Sequence, residues 1–166
     1  RSIGVEKGFE ELDFQVMHVE EKYMGQFLSI EASTDNQSFS KYKPYTDMKE
    51  VHTLADQFSI SFRQKIASWK DRLQELHRKG KKPVVWGGGS KGVSFLNFLD
   101  TRDIIHHIVD INPRKQGKYI AGTGQKYIMP NELPDIKPDT IIIMNPIYEA
   151  EINEKLHTLD LSPEIL

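Results

Sequence analysis

Cysteine is absent from the 166 residues. Disulfides, zinc–thiolate centres and cysteine nucleophiles are therefore excluded within this chain. Long apolar runs are missing too. None approaches the ~20 residues of a membrane-spanning helix, so no membrane partner is expected. Nor is there an excess of positive charge: 22 Lys and Arg stand against 24 Asp and Glu, for a net charge of −2. Without a basic field, no nucleic-acid partner is expected. The N-terminus, Arg1-Ser2-Ile3-Gly4, has neither an initiator methionine nor the apolar core of a signal peptide. It reads as a chain cut from something longer, and a cytoplasmic location is the expectation. The six histidines lack metal spacing. His106 and His107 are adjacent in an apolar run read as a strand and would face opposite sides. His18, His52, His77 and His157 fall in separate elements. No metal set, Ser-His-Asp set or catalytic carboxylate pair is assigned.

What is present begins with Val84-Val85-Trp86-Gly87-Gly88-Gly89-Ser90-Lys91-Gly92. A short apolar run enters a glycine-rich turn, and a helical apolar pattern follows at Val93, Phe95, Leu96, Phe98 and Leu99. Glycines 87, 89 and 92 fit G-x-G-x-x-G. A second apolar run, Ile104–Val109, ends on Asp110, 23 residues after Gly87. This is the strand–turn–helix–strand order of a nucleotide-holding unit. A turn without Cβ atoms lets phosphate oxygens approach the amides, and the helix N-terminus adds free donors and a positive dipole end. The terminal acid can accept from sugar hydroxyls. The same glycines also suit a tight turn that only lets helix and strand pack closely. A P-loop is excluded, because Lys91 precedes the last glycine rather than following it.

The rest of the chain gives the frame. Glu6-Lys7-Gly8-Phe9 reads as a helix end stopped by glycine. Residues 12–17 and 26–32 alternate as two strands, a hairpin that needs a further sheet to be stable. Residues 35–46 are polar and read as a linker, with Asp47 as a helix cap. From Met48 to Lys79 apolar residues step by three or four: Val51, Leu54, Ala55, Phe58, Phe62, Ile66, Trp69, Leu73 and Leu76. That predicts an amphipathic helix of about eight turns, closed by Gly80 and Pro83. A helix this long outruns a small domain, so part of its stripe is expected to meet another body or a second copy. Beyond it, strands are expected at 84–86, 104–109, 127–129 and 140–144, helices at 90–99 and 149–159, and a turn at 131–133. The fold class is α/β: a Rossmann-like, mainly parallel sheet preceded by a long helix and an N-terminal β-hairpin.

Ligands of such sheets bind beyond the carboxyl ends of the strands. The candidate substrate- or nucleotide-binding residues there are Gly87, Gly88, Gly89, Ser90, Lys91, Gly92, Asp110, Asn112, Lys115, Asn145 and Tyr148. Arg114, Lys115 and Lys118 put three cations in the loop after the second strand. Asn-Pro and Gln-Gly in that loop are equally ordinary turn pairs. Gly122-Thr123-Gly124 could fold over a ligand or form a plain turn. Asn145-Pro146 could serve a ligand or simply end the strand.

Four segments carry a resemblance: Trp86–Asn97 (Trp-Gly-Gly-Gly-Ser-Lys-Gly-Val-Ser-Phe-Leu-Asn), Val109–Lys118 (Val-Asp-Ile-Asn-Pro-Arg-Lys-Gln-Gly-Lys), Gly122-Thr-Gly124 and Asn145–Ile152 (Asn-Pro-Ile-Tyr-Glu-Ala-Glu-Ile). In this order they resemble the C-terminal domain of SAM-dependent C-methyltransferases that act on nucleotide-linked keto sugars. Residues 1–34 resemble the closing strands of a class I methyltransferase domain. The resemblance implies three parts: 1–34 as the end of that domain, 35–82 as linker and long helix, and 83–166 as the Rossmann-like C-terminal domain. It implies that SAM and zinc belong to an upstream part of the parent chain, with no cofactor held here and no catalytic residue transferable to this chain. It implies a nucleotide-sugar substrate and an upstream SAM-binding domain as partner; a homodimer through the 48–79 helix is an expectation from the length of its apolar stripe. The methyl group would pass from SAM sulfur to a carbon made nucleophilic by deprotonation beside a ketone. This chain departs from the family where Gly87-Gly88-Gly89 replaces the commoner Gly-Ala-Gly, and where Ala121 replaces a common proline. The alternatives are an independent dinucleotide-binding module or NAD(P)-dependent oxidoreductase built on Gly87, Gly89, Gly92 and Asp110, and a purely structural dimerisation domain.

Overall fold

The computed structural model describes residues 5, 8, 9, 11–34 and 48–166. The polar stretch at 35–46 and the expected cap at Asp47 lie outside the described residues. The chain divides into two compact units, Arg1–Phe58 and Ser59–Leu166.

In the first unit Gly8 and Phe9 are themselves helical, so glycine is not the stop. The chain turns one step later, where the amides of Leu12 and Phe14 both donate to the Phe9 carbonyl at 3.1 and 3.0 Å and Asp13 takes φ 60°. Strand β1 (Gln15–Lys22) pairs antiparallel with β2 (Phe27–Ser33). The hairpin therefore starts later than the alternation at 12–17 suggests, because Leu12 belongs to the turn.

Helix α1 (Met48–Arg78) has 31 residues. It ends as its sequence demands. The amide of Lys81 donates to Leu76 O and that of Gly80 to His77 O, both at 3.0 Å, with Gly80 at φ 65°. This is a Schellman closure, which needs a left-handed residue at that point. In the second unit, the α1 residues Leu73 and Leu76 are buried, with Ile66 and Trp69 packed beside them. Leu54 and Ile60, nearer the helix start, are 54% and 57% exposed.

The second unit is a five-stranded parallel sheet in the order β5-β4-β3-β6-β7, formed by β3 (Pro83–Trp86), β4 (His107–Val109), β5 (Lys126–Ile128), β6 (Thr140–Ile143) and β7 (Glu164–Ile165). Consecutive residues of each strand feed opposite faces, as the pleat requires. Val85, Ile108, Tyr127 and Ile142 join one core with α1 and α2 (Ser90–Leu99). Val84, Trp86, Val109, Ile128 and Ile141 join the other, with α3 (Leu133–Ile136) and α4 (Glu149–Thr158). Strands buried on both faces explain the unbroken apolar runs. Helices α1 and α2 meet through two edge-to-face ring pairs, Phe62–Phe98 at 5.2 Å and Trp69–Phe95 at 5.1 Å. Asp139 ties the start of β3 to β6 by accepting from the Lys82 amide at 3.0 Å.

The expectations change in detail. The strand expected at 104–109 is only His107–Val109. The amides of Ile104 and Ile105 both turn back to Thr101 O, which also leaves His106 outside the strand. The expected turn at 131–133 is a 3-10 turn (Pro130–Glu132) running into α3. Strand β7 adds an edge not foreseen. No helix among the described residues is long and apolar enough to cross a membrane.

Candidate functional site

The sheet order makes one crevice. The connection from β3 to β4 departs to one side and that from β6 to β7 to the other. The carboxyl ends of β3 and β6 therefore flank the switch point, where open α/β sheets receive ligands. Gly87 leaves β3 there at φ 115°, a region that disfavours side chains. A Cβ on it would also lie 3.1 Å from Met144 Cβ, at the end of β6.

The four glycines of this turn do different jobs. A Cβ on Gly92 would collide with the Gly87 carbonyl oxygen, so Gly92 lets α2 sit on the turn. A Cβ on Gly88 would run into the Tyr127 ring. Gly89 alone has nothing within 4 Å of where its Cβ would be. It is the N-cap of α2 in extended backbone, with no side-chain cap. Gly89, Ser90 and Lys91 are exposed, whereas Gly88 and Gly92 are buried. The first amides of α2 have no partner within their own helix, so this end presents donors and a positive dipole end to solvent.

Beside the turn lies a polar cluster. The Lys115 ammonium donates to Asp110 Oδ2 at 2.7 Å and to Gly88 O at 3.0 Å. Its nitrogen sits 5.5 Å from the centre of the Tyr127 ring. The Tyr127 hydroxyl donates to the same Gly88 oxygen at 2.9 Å. Asp110 Oδ1 accepts from the Asn112 amide at 2.9 Å. Asn112 Oδ1 in turn accepts from the Arg114 amide, capping the short 3-10 turn Pro113–Lys115. Burial pushes the Tyr127 hydroxyl above its usual pKa; Lys115 opposes this shift and Asp110 adds to it.

The expected residues thus divide. Gly88, Asp110 and Lys115 are brought into contact, with Asn112 shaping their loop, while Gly87 and Gly92 set the turn against Met144 and each other. Of the three loop cations, Lys115 is the one that bonds the turn. Gly89, Ser90 and Lys91 form the exposed lip. Asn145 and Tyr148 stand at the neighbouring strand end, joined by a bond from Tyr148 N to Asn145 O at 3.1 Å; Tyr148 is 52% exposed. Gly122–Gly124 packs elsewhere. Asn97 on α2 donates to Val93 O and Ala121 O at 2.8 and 3.0 Å, and a Cβ on Gly122 would meet that Asn97 side chain. Tyr127 was not foreseen, since a tyrosine inside an apolar strand reads as core. The available signal was Gly88, a glycine that the G-x-G-x-x-G spacing does not need.

Among the described residues no group of three or more His, Asp or Glu is placed to hold a metal ion. With no cysteine in the chain, its residues do not fit a zinc–thiolate centre. No curated protein matches the chain. The family model of the C-methyltransferase C-terminal domain matches residues 21–161. That span takes in β2, α1, the glycine turn, the Asp110–Lys115 loop and α4, and the chain belongs to the C-methyltransferase C-terminal domain family.

Proposed function

We propose that this chain is the substrate-side domain of a SAM-dependent C-methyltransferase acting in the cytoplasm on a nucleotide-linked keto sugar, and that it is inactive alone. Residues 1–34 then complete an upstream SAM-binding domain, 35–82 carry the linker and long helix, and the zinc and SAM sites belong to that upstream part. The single observation that carries the ligand reading is Gly89. Gly87, Gly88 and Gly92 each answer to backbone or packing, whereas Gly89 leaves open space before exposed amides. A diphosphate at residues 88–92 would use those donors and the helix dipole. Asn145 and Tyr148 lie at the adjacent strand end, within the same switch point. Asp110, Asn112 and Lys115 would then form the side wall.

Titration of the chain with a nucleoside diphosphate hexose, followed by backbone amide shifts, tests the site. Shifts concentrated at residues 88–92 and 145–148 support it, and Gly89→Val should abolish them by filling the open space. Shifts confined to the amino-end edge of the sheet, or unchanged by Gly89→Val, refute it. Incubation of the chain with labelled SAM and the same sugar should transfer no methyl group, since positioning of the donor supplies much of the rate in such reactions. Methyl transfer by this chain alone would refute the division of labour.

A further inference from the structure

The acid that ends the second strand is where a dinucleotide-binding unit reads its ligand. In such units the carboxylate accepts from the hydroxyls of the ribose beside the pyrophosphate. Here that acid is Asp110, and both of its oxygens are engaged from within the chain. Oδ1 takes the Asn112 amide and Oδ2 takes the Lys115 ammonium, the latter at 2.7 Å. The ammonium also spans to Gly88 O, the middle of the glycine turn. It thereby bridges carboxylate and turn, the two groups between which a ribose–phosphate unit would lie.

Tyr127 completes the closure. Its ring lies beneath the ammonium and against Gly88, and its hydroxyl shares the Gly88 oxygen. Gly88 is therefore a glycine because a Cβ there would strike the Tyr127 ring and the Asp110 carboxylate, whatever binds the turn. The Asp110 side chain is only 12% exposed and that of Lys115 31%, so the pair is partly withdrawn from water. A ribose entering here must displace a charge-assisted bond and leave the ammonium to find new partners, and such bonds are stronger than neutral ones.

We infer that Lys115 closes this Rossmann-like unit to adenine dinucleotides: its side chain occupies the ribose-reading carboxylate from within and bridges it to the glycine turn. A ligand of the turn is then bound without the Asp110 hydroxyl contacts, from the side of α2 and β6. The inference concerns what the unit rejects, and it holds whether or not the methyltransferase reading is right.

The test uses the whole chain with NAD+ as probe, measured by equilibrium dialysis and by backbone amide shifts. Wild type is expected to show no saturable binding in the millimolar range. Lys115→Ala frees Asp110 and should bind NAD+ at least about tenfold more tightly than wild type, a gain of about 1.4 kcal/mol, with shifts at residues 88–92 and 110. Asp110→Asn added to Lys115→Ala should remove the gain. A variant damaged only in its structure would not gain a ligand. If Lys115→Ala loses its dispersed amide spectrum, Lys115→Met, which keeps the aliphatic stem over Tyr127, takes its place with the same expectation. Saturable NAD+ binding by wild type with shifts at Asp110 overturns the inference. So does a folded Lys115 variant without the gain, or a gain that survives Asp110→Asn.

Discussion

Gly92→Ala is the sharpest perturbation of the glycine turn, because one methyl group separates two accounts of its glycines. In a helix, Ala is intrinsically favoured over Gly by about 0.5–1 kcal/mol. Against that, the new Cβ would collide with the Gly87 carbonyl oxygen, and Ile108 Cδ1 lies 3.1 Å away. The side chain of Ile108 can move, but the carbonyl is less free. Gly87 is held at φ 115°, and its amide donates to Val109 O at 2.9 Å. The start of α2 must therefore lift from the turn. Overpacking of this kind costs about 1–3 kcal/mol, so a net loss of about 1–2 kcal/mol is expected. Gly89→Ala is the control. With nothing within 4 Å and φ −77°, it meets no clash and should cost only the preference of an N-cap for Gly over Ala, about 0.5–1 kcal/mol. Urea denaturation of both variants against wild type measures the difference. If Gly92→Ala is as stable as wild type, or Gly89→Ala loses as much, the assignment of Gly92 to packing and of Gly89 to open space is wrong.

Other expectations follow from the same geometry. Leu73→Ala, at a position 2% exposed, should cost about 2–5 kcal/mol, while Leu54→Ala should be close to neutral by the same denaturation assay. If α1 pairs two copies, the chain should sediment as a dimer and Leu54→Glu should shift it to monomer; a wild-type monomer would argue against that role. Burial, and the nearby His106 and Lys126, hold the His107 imidazole below its usual pKa. The folded state thus favours the neutral ring, and its contribution, present above pH ~6.5, is lost as pH falls through the lowered value. His107→Gln should flatten that acid limb of the urea midpoint. Tyr127→Phe removes one of two donors to Gly88 O and should cost about 1 kcal/mol. It should also remove a loss of stability as pH rises through the raised tyrosine pKa, from ~10 upward.

The parallel sheet was legible because its strands are buried on both sides and its turns carry glycine or proline. Helix α2 matches the expected 90–99, and α1 ends one residue short of expectation. Where the reading slipped, tertiary contacts decided. Ile105 is fully buried and so reads as strand, yet it packs into the core from a turn anchored on Thr101. Strand β7 spans two residues, too few for any periodicity to register. At the site, spacing drew attention to Gly87, Gly92 and Asp110. The Lys115–Tyr127–Gly88 arrangement was not legible, because it depends on β5 lying beside β4, a pairing that no local pattern encodes.

The central strand has a kinetic consequence. Val85 pairs with Ile108 on one side and with Ile142 on the other, partners 23 and 57 positions away along the chain. Closing the longer loop costs only about 0.8 kcal/mol more in chain entropy, since that cost grows with the logarithm of loop length. Yet neither pairing is local, and β3 brings nothing of its own to the nucleus until a crossover returns. Assembly should therefore begin with β3, α2 and β4, the shorter closure, which buries Val85 and Ile108 against Leu96. Addition of β6 would follow. In pulse-labelled exchange during refolding, the amides of β3 that face β4 should gain protection ahead of those of Val84–Trp86's partners in β6, and the glycine turn would be shaped before the second half of the sheet exists to flank it.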